Sequence, residues 1–325
     1  MAVTIKDVAA VAQVSVSTVS RAFTAPGQVG STTLTRIKQV AAELGYTPNA
    51  AARSLRGGGT ATLGVILPDI SNPFFPPIFK AMQARARSLG YTLLVVDSDE
   101  READEAQATA AIARKVDGLL VWASTRADEH LAALARELPL VLGNRHVPGV
   151  SEVHVDLSEG LDQAAEHLRA LGHTRCAFVD GSRTEASRGK SIRESFAEQG
   201  LSVDVLGPYE PRFDTGLHAA TLVAAEDVTA VVAHNDLVAL GVLHQLAKLG
   251  VDVPRDVSVI GIDDTLLAST STPSLTTVRI SAEEIATRAL DLLLEVVADP
   301  TREPRTAEIG SRLVPRASTG PARRT

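Results

Sequence analysis

From Thr62 onward, short apolar runs of strand length alternate with amphipathic stretches of helix length, and this rhythm restricts the possible folds more than any other feature. TLGVILP, YTLLVVDS, GLLVW and LVLG are each followed or preceded by such a stretch. After Asp156 the pattern restarts with a helix and runs on through RCAFVDG, VDVLG, TAVVAH and VSVIGID. Continuous apolar runs of this kind are buried parallel strands joined by crossover helices. Helices repeatedly close on Leu-Gly, at Leu89-Gly90, Leu171-Gly172 and Leu249-Gly250, where glycine takes up the left-handed cap. The restart predicts two doubly wound α/β units, with a ligand lodged at their junction.

The segment before this body is built differently. Thr4 and Asp7 have the spacing of a capping box, and Ile5, Val8, Ala9 and Ala12 then share one helical face. Ser15 can cap a second helix that turns Val19, Ala22 and Phe23 to one side and Ser17, Thr18 and Arg21 to the other. Two short amphipathic helices a few residues apart have the form of a helix-turn-helix, although a plain helical hairpin has the same spacing. In a helix-turn-helix, the start of the second helix meets base edges in the major groove. Val16 could then touch a thymine methyl, Ser17 could donate or accept, and Arg21 could reach a guanine or a phosphate. Leu34, Ile37, Val40, Ala41 and Leu44 predict a third helix, closing at Gly45 with Pro48 beyond it. Asn49 can cap a further short helix over the alanines that follow, too short to persist alone in water. Leu55, between Arg53 and Arg56, suggests a wedge for a minor groove.

Charge separates the two parts. The net charge of the 325 residues is −7, yet residues 1–60 hold six Lys and Arg against Asp7 and Glu43, a net of +4 that leaves −11 for the rest. A basic head on an acidic body suggests that only the head meets a polyanion. Cys176 is the single cysteine, so neither an internal disulfide nor a cysteine metal cluster can form. The N-terminus lacks a signal-peptide pattern, and no apolar run approaches the roughly 18 residues of a membrane span. The expectation is a cytoplasmic protein with no cofactor.

TIKDVAAVAQVSVSTVSRAF followed by ELGYTPNAAARSLR resembles the lactose-repressor (LacI/GalR) family of bacterial transcription factors. The resemblance continues, in the family's order, through TATLGVILPDISNPFF, LRALGHTRCAFVDG, HNDLVALGVL, DVSVIGIDD and PSLTTV, nearly the whole chain. It implies a helix-turn-helix head at 1–47, a hinge helix and linker at 48–61, and an effector-binding and dimerisation body at 62–325 with the fold of periplasmic sugar-binding proteins. It further implies a first lobe of about 62–159 and 281–309 and a second of about 160–280 and 310–320. By resemblance, Val16 and Ser17 are the base-reading pair, Arg21 the groove arginine and Leu55 the intercalating leucine. Ala51 and Ala52 match the positions facing the minor groove and the partner hinge, and Thr18, Tyr46 and Asn49 complete the DNA-facing set. The chain departs from the family at Gly30, which weakens the usual cap unless Ser31 replaces it, and at Leu34, which removes a phosphate-contacting arginine.

Enzyme signatures fail in turn. Gly189-Lys190-Ser191 resembles the end of a phosphate loop, but Thr184 stands where its first glycine is required. Asp263-Asp264 closes a strand, where neighbouring side chains diverge to opposite faces. A lone histidine such as His173 reads as a helix-end cap. The cleft candidates come from strand ends with the family's help: Asp69, Asn72, Phe74 and Phe75 after the first body strand, then Arg188, Asn235 and Asp263. Trp122 and Tyr209 are weaker stacking candidates. In the family Arg188 holds ligand hydroxyls, though Ser191 and Ile192 replace the usual glycine and aromatic beyond it. The expected function is a repressor acting as a homodimer on a pseudopalindromic double-stranded DNA operator under control of a small-molecule effector, a sugar by family habit. The alternative is a sugar-binding transport protein with no DNA role. The tail after Arg316 holds no leucine heptads, so nothing supports tetramers.

Overall fold

The computed structural model describes residues 3–24, 28–44, 46, 59–181, 188–225 and 228–323. The chain divides into two compact units, Met1–Ala61 and Thr62–Thr325.

Helices α1 (Ile5–Val11), α2 (Val16–Thr24) and α3 (Ser31–Leu44) form the first unit. Its small core buries Val8, Ala12, Val19, Ala22 and Ile37, and Ile5, Phe23, Leu34 and Leu44 pack around them. These are the positions that the 3.6-residue period sets on inward faces. The Thr4 amide and hydroxyl both donate to the Asp7 carboxylate, at 2.8 and 2.7 Å. The Thr18 amide donates to Ser15 Oγ at 3.1 Å, which caps α2 as its sequence requires. The third helix corrects an expectation. Ser31 is its first residue and the Gly30 carbonyl accepts from the Leu34 amide, so Gly30 itself holds the cap position and Ser31 does not replace it.

The second unit contains two six-stranded sheets. The first has the order β11-β5-β4-β3-β1-β2, with β1 Thr62–Leu67, β2 Thr92–Asp97, β3 Gly118–Trp122, β4 Leu140–Gly143, β5 Ser151–Val155 and β11 Thr306–Ile309. All its pairings are parallel. Helices α4 (Phe75–Ser88), α5 (Glu102–Ile112), α6 (Asp128–Glu137) and α12 (Ala282–Ala298) accompany it. The second sheet has the order β12-β10-β9-β8-β6-β7, with β6 Arg175–Val179, β7 Ser202–Leu206, β8 Ala230–Ala233, β9 Ser258–Asp263, β10 Thr276–Ile280 and β12 Ser311–Val314. Only β12 runs antiparallel, against β10. Helices α7 (Ser158–Ala170), α8 (Arg188–Glu198), α9 (Phe213–Ala225), α10 (Asp236–Lys248) and α11 (Leu266–Thr270) belong to this lobe. Strand β5 escapes the sequence rhythm because SEVHV carries three charged or polar residues, Ser151, Glu152 and His154, against only two valines.

The chain passes between the lobes after β5, after β10 and between β11 and β12. The last residue of each departing strand, Val155, Ile280 and Ile309, is buried in one apolar cluster that continues from the first lobe into the second. An apolar floor therefore lies beneath the junction, and a polar cleft can form only above it.

His173 differs from its reading as a helix cap. It is buried, with Nδ1 2.8 Å from Thr229 Oγ1 and Nε2 3.1 Å from both Ser258 Oγ and the Gly320 carbonyl. It ties the C-terminal segment to the second sheet. Cys176 is buried in the core, and burial pushes its thiol up to about 12, which leaves it unreactive at neutral pH. No described helix is long and apolar enough to cross a membrane.

Candidate functional site

A cavity of about 760 Å³ opens between the lobes at the carboxyl ends of their strands. Strand ends collect ligands because the chain reverses direction there and leaves backbone groups and loop side chains unpaired. The backbone is forced at this rim. Ala123, Asn144, Asp99, Glu100 and Asp263 all line the cavity, and all have positive φ, the last at +122°. Such conformations persist in non-glycine residues only where surrounding contacts hold them, and they cluster at functional sites.

One wall is aromatic. Phe74 and Phe75 open α4, with their rings edge to face at 5.3 Å, and Phe75 meets Trp122 at 6.5 Å. All three are buried on the core side yet line the cavity. Trp122 can lie flat over the end of β4 because Gly143 is beneath it. A Cβ there would fall 2.1 Å from the indole Cε3.

The opposite wall is charged and partly buried. Arg188 begins α8 and donates through Nη1 to the His234 carbonyl. Burial draws its pKa down, while the carboxylates of Asp263, Asp180 and Asp236 oppose that shift. His234 is held neutral, down to about 4, first by burial and then by the Arg188 charge. Its Nδ1 is 3.5 Å from Asp180 Oδ1, and with the ring neutral this contact is not a salt bridge. Asp263 is 5% exposed, and burial raises its pKa well above the usual carboxylate range, with Arg188 acting against burial and Asp236 adding to it. Hydrogen-bond donors on a ligand would favour its ionised form again. Asp264, just beyond the end of β9, takes ion pairs from Arg279 and Arg316.

Several candidates prove to be scaffold. Asp69 does not line the cavity; its carboxylate accepts from the Ser71 amide at 2.8 Å and closes the turn after β1. Asn72 lines the cavity, and its Oδ1 accepts from the Phe74 amide at 3.0 Å, which fixes where both phenylalanines point. Asn235 and its neighbour Asp236 have different roles. Asn235 caps α10 through the Val238 amide at 2.8 Å and donates to the Pro211 carbonyl, while still lining the cavity. Asp236 is fully buried and accepts from the Thr265 amide, the Thr265 hydroxyl and the Thr277 hydroxyl, joining α10 to β10. Tyr209 lines the cavity. So do Asp99, Glu100, Asn144 and Arg212, which the sequence did not single out. Asp99 and Glu100 follow strand YTLLVVDS and could have been found by their strand-end position. Arg212 stands in a loop with no pattern to mark it.

In the head, Ser17 and Arg21 are exposed on α2, and Arg21 Nε is 3.4 Å from the Ser17 carbonyl. Thr18 Oγ1 is 2.7 Å from Ser15 Oγ, and Val16 packs partly against the head core. Tyr46 also packs against that core, its ring 6.0 Å from Phe23. Asn49, Ala51, Ala52 and Leu55 lie outside the described residues.

Residues 4–49 match the family model of bacterial regulatory proteins of the lacI family, and residues 165–319 match that of a periplasmic binding protein-like domain. The HTH-type transcriptional regulator DegA of Bacillus subtilis (strain 168) is 33% identical, the match covering 88% of each chain. The lac repressor dimer bound to operator and the anti-inducer ONPF superposes with a TM-score of 0.81 at 25% identity, over 98% of this chain and 100% of that one. The complex of the transcriptional regulator CelR with cellobiose gives a TM-score of 0.71 at 29% identity, over 97% and 99%. These relatives are transcriptional regulators and not enzymes. The chain belongs to the lacI family of bacterial regulatory proteins, DNA-binding regulators of transcription that couple a helix-turn-helix head to a two-lobed body of the periplasmic-binding-protein type.

Proposed function

We propose that this regulator is a repressor that binds a pseudopalindromic operator as a homodimer and responds to a sugar or sugar-like effector in the cleft. The observation that carries the effector reading is the buried Asp263 carboxyl on the same wall as the half-buried Arg188 guanidinium, facing an aromatic wall of Phe75 and Trp122. A carboxylate accepts paired hydroxyls, a guanidinium donates to them, and an aromatic wall stacks on the apolar face of a sugar ring. The cavity volume falls within the roughly 300–1,000 Å³ usual for small-molecule sites. A relative solved in complex with cellobiose supports the same class. For DNA, the reading assigns base contacts to Val16, Ser17 and Arg21, supporting contacts to Thr18, Tyr46 and Asn49, and the minor-groove hinge to Ala51, Ala52 and Leu55. Two heads related by a two-fold axis would read two half-sites.

The test is a thermal-shift screen of mono- and disaccharides and nucleosides, followed by operator binding in the presence of each hit. A stabilising sugar that changes operator affinity is the expected result; stabilisation by nucleosides alone would remove the sugar reading. Operator affinity should fall steeply with salt, with log K dropping by about 0.9 per decade of salt for each phosphate neutralised. A flat dependence in fluorescence anisotropy would argue against the basic head as the contact surface. Leu55→Ala should weaken operator binding about tenfold or more, from loss of the wedge, and leave effector binding unchanged. Equal operator affinity for the variant would remove that role.

A further inference from the structure

The mouth of the cleft is spanned by an ion pair. Arg212, in the loop between β7 and α9 of the second lobe, places Nη2 2.6 Å from Asp99 Oδ1, in the turn after β2 of the first lobe. That turn is held in an unusual shape. Asp99 and Glu100 are consecutive left-handed residues, with φ of 48° and 56°. Four bonds fix them: the Ser98 and Glu100 amides donate to the Leu67 and Pro68 carbonyls, the Asp99 amide donates to Asp97 Oδ1, and the Arg101 amide returns to the Ser98 carbonyl. Glu100 has no preference of its own for this region, so β1 and its following turn impose the conformation there, whereas an aspartate such as Asp99 adopts it more readily. The effect of the strain is to carry two carboxylates to the point that Arg212 reaches from the other lobe.

We propose that Arg212 and the Asp99–Glu100 turn form a latch that holds the two lobes closed over the cleft, and that protonation of Glu100 strengthens its hold. The latch goes beyond the effector reading and is testable without any ligand. Among the described residues, the charged groups that face Glu100 are Arg212 and Glu210 from the second lobe, Asp69 from the turn after β1, and Asp99 beside it. Burial in the closed cleft is the largest influence on Glu100 and raises it to about 7, the three carboxylates add to this, and Arg212 opposes it. Opening would return Glu100 to water and to its ordinary carboxylate range. The closed form therefore retains a proton that the open form releases between the ordinary range and about 7. The sign follows: closure is favoured as pH falls from 8 to 6, and an effector that closes the cleft takes up protons in that window.

The experiment uses the full-length chain with spin labels on cysteines introduced at the exposed Glu129 and Glu198, one in each lobe; the native Cys176 is buried and does not react. Inter-label distances are measured without ligand at pH 6 and pH 8. The expected result is a closed-to-open ratio about threefold to fivefold higher at pH 6, the scale that a partly exposed charge network can support. Arg212→Gln should shift the ratio toward open at both pH values, and Glu100→Gln should remain closed at both. Exchanging the charges, Asp99→Arg with Arg212→Asp, should recover the closed population that Arg212→Gln loses. Superimposable distributions for wild type and Arg212→Gln, or failure of the exchanged pair to recover closure, would overturn the latch. A pH response that survives Glu100→Gln would overturn the part assigned to Glu100. None of these outcomes depends on which effector the cleft takes, so the latch and the sugar reading can fail separately.

Discussion

Arg188→Ala is expected to lower effector affinity about a hundredfold or more, abolishing the response, while operator binding without effector stays within about twofold. The guanidinium is half-buried at the cleft wall with Asp263, Asp180 and Asp236 as its surrounding charges. Charge-assisted hydrogen bonds to a ligand are each worth about 1.5–3 kcal/mol, and removing one member of a buried charged group leaves the others without compensation. A hundredfold is about 2.8 kcal/mol, so the loss of one or two such bonds is enough. Calorimetric titration with a sugar identified in the screen measures the loss, and anisotropy on operator DNA checks the head. An unchanged affinity would clear Arg188 and move the site's charge recognition to Asp263. The head belongs to a separate compact unit with its own core, and for that reason ligand-free operator binding should survive.

Gly241→Ala is expected to cause the largest loss of stability from adding a single methyl, about 3 kcal/mol. On α10, a Cβ at Gly241 would fall 2.1 Å from the Phe213 carbonyl oxygen, and one at Gly216 on α9 would fall 2.1 Å from the Val238 carbonyl oxygen. The two helices meet backbone to backbone, so no side chain can swing aside to relieve the contact. Overpacking usually costs about 1–3 kcal/mol, and a clash with backbone belongs at the upper end. Helix α10 begins with Asn235 and Asp236, so a shift of α9 away from α10 would also disturb the floor of the cleft. Chemical denaturation gives the comparison, with Gly149→Ala as the control because a Cβ there meets nothing within 4 Å, although its φ of +85° will impose a cost of its own. A Gly241→Ala variant no less stable than the control would mean that the helices can part without penalty.

Much of this was legible before any coordinates. The inward faces of the head followed from helical period alone: Val8, Ala12, Val19 and Ile37 are buried where the pattern put them. The parallel strands of both lobes followed from apolar runs bounded by Leu-Gly helix ends. These are local rules, and local sequence carries them. The pattern failed where local rules compete. Strand β5 carries Glu152 and His154, and only its place between β4 and β11 makes it a strand. Asn235 and Asp236 are adjacent with similar capping chemistry, and the distant Thr265 and Thr277 decide that Asp236 is sequestered while Asn235 caps.

By itself the sequence determined the division into a basic head and an acidic body, the α/β class, the helix-turn-helix and, through resemblance, the arginine and aspartate of the cleft. Such features depend on residues a few positions apart or on motifs kept in order along the chain. Tertiary structure alone decided that Asp69 closes a turn instead of facing the cavity, that Gly143 makes room for Trp122, and that Arg212 meets Asp99 across the mouth. In the last case 113 residues separate the partners. No periodicity spans such a distance. The contact exists because three crossings of the chain bring the carboxyl ends of two separately wound sheets to face each other.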